Sequence, residues 1–156
     1  MYPQSHFLFA FFISTILVKL GIFNYKLAFI ISIFAVLIDI DHFIIFILKK
    51  HDYSLKDAWN AHVEKKYRGK AFLHHPLVFI LITCLTIALF FINMEWFWIV
   101  GLSYYSHMFL DYSKLNILKI KEKVTIKEAH FIEKINKFEI LFDISLFIGI
   151  LLMVFF

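Results

Sequence analysis

A second cysteine, a high content of charge and a cationic leader are all missing from this sequence. Cys84 is the single cysteine, so no internal disulfide can form. No cationic side chain precedes the first apolar run, so no cleavable signal peptide is predicted. Charged residues make up only 18% of the chain, whereas 62% of its residues are hydrophobic and 21 are phenylalanine. Soluble domains are about half apolar, so the 156 residues predict a membrane protein of one domain.

Five apolar segments organise the chain. Each is long enough, or nearly so, to cross a hydrocarbon core of ~30 Å at about 1.5 Å per residue. They are 7–22, 27–48, 77–92, 96–112 and 140–156. The predicted fold is therefore all-α: a polytopic integral membrane helical bundle of about five transmembrane helices, forming a single membrane domain over 1–156.

Basic side chains are concentrated in two links between these spans. The links 49–73 and 113–138 carry 14 of the 16 lysines and arginines. Five spans put both links on the same side, and the positive-inside rule makes that side and the N-terminus cytoplasmic. The basic balance therefore indicates membrane topology and predicts no nucleic-acid partner.

The two links also carry local patterns. Leu55, Trp59, Val63 and Tyr67 repeat at intervals of four residues, which predicts an interfacial amphipathic helix in the first link. In the second link, 121–126 predicts a short strand or hairpin arm, and 127–138 predicts a helix.

Imidazoles and carboxylates inside or bordering the spans fall, Glu95 excepted, in the predicted cytoplasmic halves. In hydrocarbon such a group costs roughly 2.5–3.5 kcal/mol at a helix centre, so it needs a partner, a cavity or an ion. The residues are His6, Asp39, Asp41, His42, His74, His75, His107, Asp111, Glu139 and Asp143. This sorting by depth predicts one polar cavity that opens at the cytoplasmic interface.

Helical spacing predicts which of these groups share a face. His107 and Asp111 are four residues apart and share a face. Asp39 and His42 also share a face, but Asp41 points nearly opposite Asp39. Either the helix is distorted there, or Asp41 faces a different helix and Asp39 supports a ligand without binding the metal itself.

Proline at position 76 disfavours helix at the residue before it. His74 and His75 therefore lie on a turn at the entrance of the third span and compete for one role, with a slight preference for His75. Asp143 either pairs with a lysine or reaches the cavity.

Imidazole and carboxylate groups together form the ligand set of Zn²⁺, and also of Mn²⁺ or Fe²⁺. They are too many for one tetrahedral ion and predict one or two divalent ions. The candidate ligands are His6, Asp39, Asp41, His42, His74, His75, His107 and Asp111. Asp41 and His42 are favoured as ligands, and Asp39 is expected to bridge two ions or to position the water. Zn²⁺ is the preferred ion. A metal at a lipid interface predicts hydrolysis of a phosphoester or lipid by a metal-activated water.

Four motifs in this order resemble those of the YdjM-type predicted membrane-bound metal-dependent hydrolases. They are Ser5-His6, Asp39-Ile40-Asp41-His42, His74-His75-Pro76, and Ser106-His107-Met108-Phe109-Leu110-Asp111. The resemblance covers about the first 112 residues. It departs from the family pattern at Ile38, where a proline is usual, and in lacking the first histidine of the H-R-G-x-T-H motif. The resemblance implies a membrane-bound, metal-dependent hydrolase. The last motif is also faintly similar to zinc-dependent phospholipase C, which favours a phospholipid or phosphoester substrate.

Two functions of other classes compete with the hydrolase. A metal or proton transporter needs polar groups on both sides of the midplane, and the outer half of the spans has almost none. A non-enzymatic membrane adaptor would act through the two basic links. The structural alternative for the polar groups is that they join helices by hydrogen bonds.

Overall fold

Helices account for most of the part of the chain that the computed structural model describes, namely residues 3–50, 54, 72–112, 123–128 and 131–156. The helices are α1 (Pro3–Lys19), α2 (Tyr25–Leu37), α3 (Ile40–Lys50), α4 (Pro76–Ile92), α5 (Met94–Tyr112) and α6 (Lys137–Phe155). A 3₁₀ turn, Phe72–His74, precedes α4, and the strands β1 (Lys123–Glu128) and β2 (Phe131–Asn136) precede α6. The predicted helical bundle is therefore confirmed for the described residues outside these two strands.

Local signals mark where the helices begin. The Asn24 side chain accepts a hydrogen bond from the Leu27 backbone N–H at 3.0 Å and caps the start of α2. Proline at position 76 occupies the first turn of α4, where its missing N–H leaves no helical bond unmade. The side chain of Asn93 accepts from the backbone N–H groups of Glu95 and Trp96 and so starts α5 directly after α4 ends.

Packing places α1, α2 and α5 at the centre of the bundle. Helix α1 packs against α2, α5 and α6, while α5 also packs against α2 and α4. Gly101 of α5 allows the close approach of α4, because a Cβ there would lie 2.9 Å from Cγ2 of Thr86. Helices α1 and α5 carry three of the polar residues described below, namely His6, His107 and Asp111.

The outer faces of the bundle are apolar. Phe91 and Ile92, for example, are 80% and 79% exposed. Two helical segments are long and apolar enough to cross a membrane, Tyr25–Leu48 and Phe138–Phe155, with mean hydropathy 2.4 and 2.3. Helix α4 is apolar but shorter. Among the described residues, two segments are therefore both long and apolar enough to span a membrane, which is fewer than the five predicted.

The helix predicted over 27–48 is interrupted at Ile38 and Asp39, between α2 and α3. The Asp39 backbone N–H donates to the Val36 carbonyl, and the His42 N–H donates to the Asp39 carbonyl, both at 3.1 Å. Both hydrogen bonds join residues three apart in the sequence, as in a 3₁₀ helix, so the backbone is wound more tightly here than in an α-helix. Of the two alternatives drawn from the sequence, the structure has the distorted helix.

The hairpin departs from the all-α prediction. Strands β1 and β2 are antiparallel, with Lys123 opposite Asn136 and Glu128 opposite Phe131. The strand predicted over 121–126 is thus found at 123–128, but the helix predicted over 127–138 is wrong, because pairing with β1 holds 131–136 as a strand. The predicted amphipathic helix is defined by Leu55, Trp59, Val63 and Tyr67, which lie outside the described residues.

Candidate metal centre

Four separate parts of the chain bring imidazoles and carboxylates to one end of the bundle. The start of α1 contributes His6, which is buried at 1% exposure. The break between α2 and α3 contributes Asp39, and the 3₁₀ turn contributes His74. The last two turns of α5 contribute His107, which is fully buried, and Asp111. The polar groups that the sequence placed at one depth therefore converge.

Four of these residues form a first ligand group: His6, Asp39, His107 and Asp111, whose ligand atoms all lie within 4.8 Å of one another. Nε2 of His6 is 3.3 Å from Oδ1 of Asp111 and 3.8 Å from Oδ2 of Asp39. Nε2 of His107 is 3.5 Å from Oδ2 of Asp111 and 3.6 Å from Oδ1 of Asp39. The rings of His6 and His107 are stacked, with centroids 4.0 Å apart.

A second ligand group consists of Asp39, His42 and His74. Nε2 of His42 is 3.9 Å from Oδ1 of Asp39. Nε2 of His74 is 3.0 Å from Oδ2 of Asp111 and 3.3 Å from Nε2 of His107, so the two groups are contiguous. Asp39 belongs to both groups.

The first group has the dimensions of a divalent metal site. Ligand atoms held 2.0–2.2 Å from a tetrahedral ion lie about 3.3–3.6 Å apart, which is close to the four distances of 3.3–3.8 Å. Neither ring nitrogen of His6 makes a hydrogen bond to any described residue. Buried imidazole nitrogens without such partners need a ligand of another kind. These groups could therefore hold a metal ion.

Two contacts orient the imidazoles towards this centre. Nδ1 of His107 lies 2.8 Å from the backbone carbonyl of Ala35, and a carbonyl can only accept, so the proton is on Nδ1. Nε2 then presents its lone pair to the carboxylates. Nδ1 of His74 lies 3.5 Å from Oδ2 of Asp41, and that oxygen also accepts from the Leu73 backbone N–H at 3.0 Å. Asp41 thus positions His74, as carboxylates do behind metal-binding histidines.

His74 lies outside the long helices and is surrounded by negative charge. Burial lowers its pKa, but the hydrogen bonds to Asp111 and Asp41 outweigh burial and raise the pKa to about 9. The metal-free centre therefore holds a protonated His74 at neutral pH. A metal that binds Nε2 of His74 must displace this proton.

The structure separates the candidate residues that the sequence left together. Asp41 belongs to neither ligand group, although the sequence favoured it as a ligand. His75 is exposed and accepts at Nδ1 from the Leu77 backbone N–H at 3.3 Å, as the cap of α4. The sequence slightly favoured His75 over His74 as the ligand, whereas the structure places His74 in a ligand group. Asp143 lies 3.1 Å from the hydroxyl of Ser5 and also belongs to neither group.

Sequence reasoning missed the residues that hold the 3₁₀ turn. The hydroxyl of Tyr104 donates to the Leu73 carbonyl at 2.8 Å, and that of Tyr112 donates to the His74 carbonyl at 3.0 Å. The sequence suggested only packing or a membrane-interface role for these tyrosines. A usable signal was their spacing, because Tyr104 precedes His107 by about one helical turn and Tyr112 follows Asp111 directly.

One of the comparisons with known proteins gives a match. The family model described as YdjM inner membrane protein matches residues 1–116. This range contains every residue of both ligand groups. No curated protein and no solved structure matches the chain.

Proposed function

The chain belongs to the YdjM inner membrane protein family, and on that premise we propose that it is a metal-dependent hydrolase of the membrane interface. Its reaction adds water across a phosphoester bond, so that the P–O ester bond breaks and an alcohol and a phosphate are formed. The observation that carries the proposal is the pair of contiguous ligand groups that share Asp39.

The position of Asp39 supports two ions rather than one. Its Oδ1 faces His107 and His42, while its Oδ2 faces His6. A carboxylate between two sets of imidazoles can serve both sets and orient a water between them. Divalent ions bound there would supply Lewis acidity and lower the pKa of water. The mixed nitrogen and oxygen ligands favour Zn²⁺, with Mn²⁺ or Fe²⁺ as alternatives.

The surrounding residues have positioning roles in this proposal. The Ala35 carbonyl keeps His107 in the tautomer that exposes Nε2. Asp41 fixes the ring of His74, and Tyr104 holds the turn that carries His74 through the Leu73 carbonyl. Positioning of this kind preserves the ligand geometry that hydrolysis requires.

Membrane localisation follows from the inner membrane family and the apolar helices. We further propose a multi-pass arrangement of five spans with the N-terminus and the centre on the cytoplasmic side. The 14 of 16 basic residues in the links 49–73 and 113–138 support this orientation. Helix α5 contains polar residues of the site, including His107 and Asp111, and these lower its mean hydropathy. A helix of this composition can therefore span the membrane although it is less apolar than Tyr25–Leu48 and Phe138–Phe155.

The experiment uses purified protein in detergent and compares His74→Ala with His75→Ala. The proposal predicts bound Zn²⁺, Mn²⁺ or Fe²⁺ and hydrolysis of p-nitrophenyl phosphate in the wild type and in His75→Ala. His74→Ala should bind less metal, because it removes a ligand of the second group, and should lose hydrolysis. Equal metal content and turnover in the two variants would contradict the assignment of His74, and a wild type without metal or turnover would contradict the function.

A further inference from the structure

An apolar groove runs between α4 and α5 and reaches the metal centre. It has a volume of about 740 Å³ and is lined by residues that include Phe79, Ile80, Tyr105 and Phe109. His74 also lines the groove and belongs to the second ligand group. One side chain therefore connects an apolar cavity to the candidate reaction centre.

The groove offers rings and aliphatic groups but few polar contacts. The hydroxyl of Tyr104 is engaged by the Leu73 carbonyl, that of Tyr105 by the Thr83 hydroxyl, and that of Tyr112 by the His74 carbonyl. These tyrosines consequently present their rings to the space between the helices. A groove of this composition fits a hydrocarbon chain and gives no site for a charged group away from His74.

The dimensions and openness of the groove also fit a hydrocarbon chain. A volume of 740 Å³ lies within the range of ligand pockets, about 300–1,000 Å³. From Tyr105 to Tyr112 the groove follows α5 for about 10 Å, which is most of the ~15 Å depth of one leaflet. Ile80 and Phe109 are 56% and 57% exposed, so a chain can enter sideways from the bilayer.

We propose that this groove holds an acyl chain of a glycerophospholipid whose phosphate lies at the metal centre. The inference rests on the proposed hydrolase function and names its substrate class. The groove selects substrates that carry a chain, and it places the ester beside His74 and Asp39. Water-soluble phosphoesters would reach the same centre without using the groove.

The test fills the groove without touching the ligands. Ile80→Trp adds bulk at a lining position, and Ile87→Trp is the matched control, since Ile87 is 57% exposed on the same helix and is not among the lining residues. The substrates are dioleoyl phosphatidic acid in mixed micelles and p-nitrophenyl phosphate. We expect Ile80→Trp to lower kcat/KM for the lipid about tenfold or more and to leave p-nitrophenyl phosphate turnover and metal content unchanged. Ile87→Trp should change neither substrate.

A second measurement needs no turnover. Wild-type protein in phosphatidylglycerol vesicles is labelled with a phosphatidic acid that carries a photoreactive diazirine in its acyl chain. Labelling should concentrate on 76–80 and 105–109 and fall in Ile80→Trp. Labels spread over all exposed apolar faces, including Phe91, would overturn the inference, as would equal effects of Ile80→Trp on both substrates. Groove labelling in a protein without any hydrolysis would instead refute the function and leave the groove as a lipid site.

Discussion

Replacement of Asp39 by asparagine is expected to abolish metal binding, while the same change at Asp41 only weakens it. Asp39→Asn keeps the size of the side chain but removes the charge and one oxygen that face His6, His42 and His107 at 3.6–3.9 Å. Since Asp39 belongs to both ligand groups, both lose a ligand. Asp41→Asn removes only the charge behind His74, and changes at such supporting positions typically lower metal affinity 10–100-fold.

The expected thermal shifts follow from these affinities. A metal at 100 times its Kd stabilises the wild type by about 2.7 kcal/mol. For a chain of this size that corresponds to a rise in Tm of roughly 5–11 °C. At the same metal concentration Asp41→Asn, weakened 10–100-fold, retains about 0.4–1.4 kcal/mol, or roughly 1–6 °C. Asp39→Asn should show no shift.

The assay is the Tm of detergent-solubilised protein with and without added Zn²⁺, read together with the number of ions bound. His75→Ala serves as the control and should keep the whole shift, because its side chain caps α4 and belongs to neither ligand group. An unchanged shift in Asp39→Asn would refute the role of Asp39 as the shared ligand. An absent shift in Asp41→Asn combined with a normal one in Asp39→Asn would reverse the two assignments.

Three further predictions concern the frame of the site. Because the pKa of His74 is raised, the metal-free protein should lose stability as pH rises from 6.5 through about 9. Thermal melts should show this fall in Tm with rising pH, and His74→Asn should remove it. Tyr104→Phe should cost about 0.5–1.5 kcal/mol of stability and weaken metal binding, whereas Tyr105→Phe should leave metal binding unchanged, since its hydroxyl bonds to Thr83. Gly101→Ala should lower the stability of the protein by about 1–3 kcal/mol. Adding Thr86→Ser should restore most of the melting temperature, because it removes the methyl group 2.9 Å from the new Cβ. A double variant that melts no higher than Gly101→Ala would contradict the contact.

The depth of each polar residue could be predicted from the sequence, but its direction could not. Counting residues along the spans put Asp39, His42, His107 and Asp111 at one end of the bundle, and the structure brings them together. A regular helix would aim Asp39 and Asp41 to opposite sides. The break at Ile38 and Asp39 changes the direction of the backbone there, and the sequence has no proline or glycine at that point to indicate it.

Contacts between distant segments explain the other differences. The choice between His74 and His75 depends on the 3₁₀ turn, which two tyrosines of α5 hold through backbone carbonyls. The spacing of these tyrosines from His107 and Asp111 is visible in the sequence, but the carbonyl groups that they bind are not. Residues 131–136 have side chains that suit either a helix or a strand, and pairing with β1 decides between them.

The family and the membrane class could be predicted from the sequence, because the family rests on the order of motifs and the membrane class rests on composition. The resemblance to the YdjM family, drawn from four motifs, is confirmed by the match over residues 1–116. The number of spans was less accessible, because α4 is apolar but short and α5 carries polar residues of the site. Helix α5 holds His107 and Asp111 together with several serines and tyrosines, so function itself weakens the hydropathy signal.

The most direct test of the central claim is a count of metal ions per chain in purified wild type, Asp39→Asn and His75→Ala. Two contiguous ligand groups that share Asp39 predict up to two ions in the wild type and in His75→Ala, and none in Asp39→Asn. Equal metal content in Asp39→Asn and the wild type, or a wild type that binds no divalent metal at all, would contradict the account.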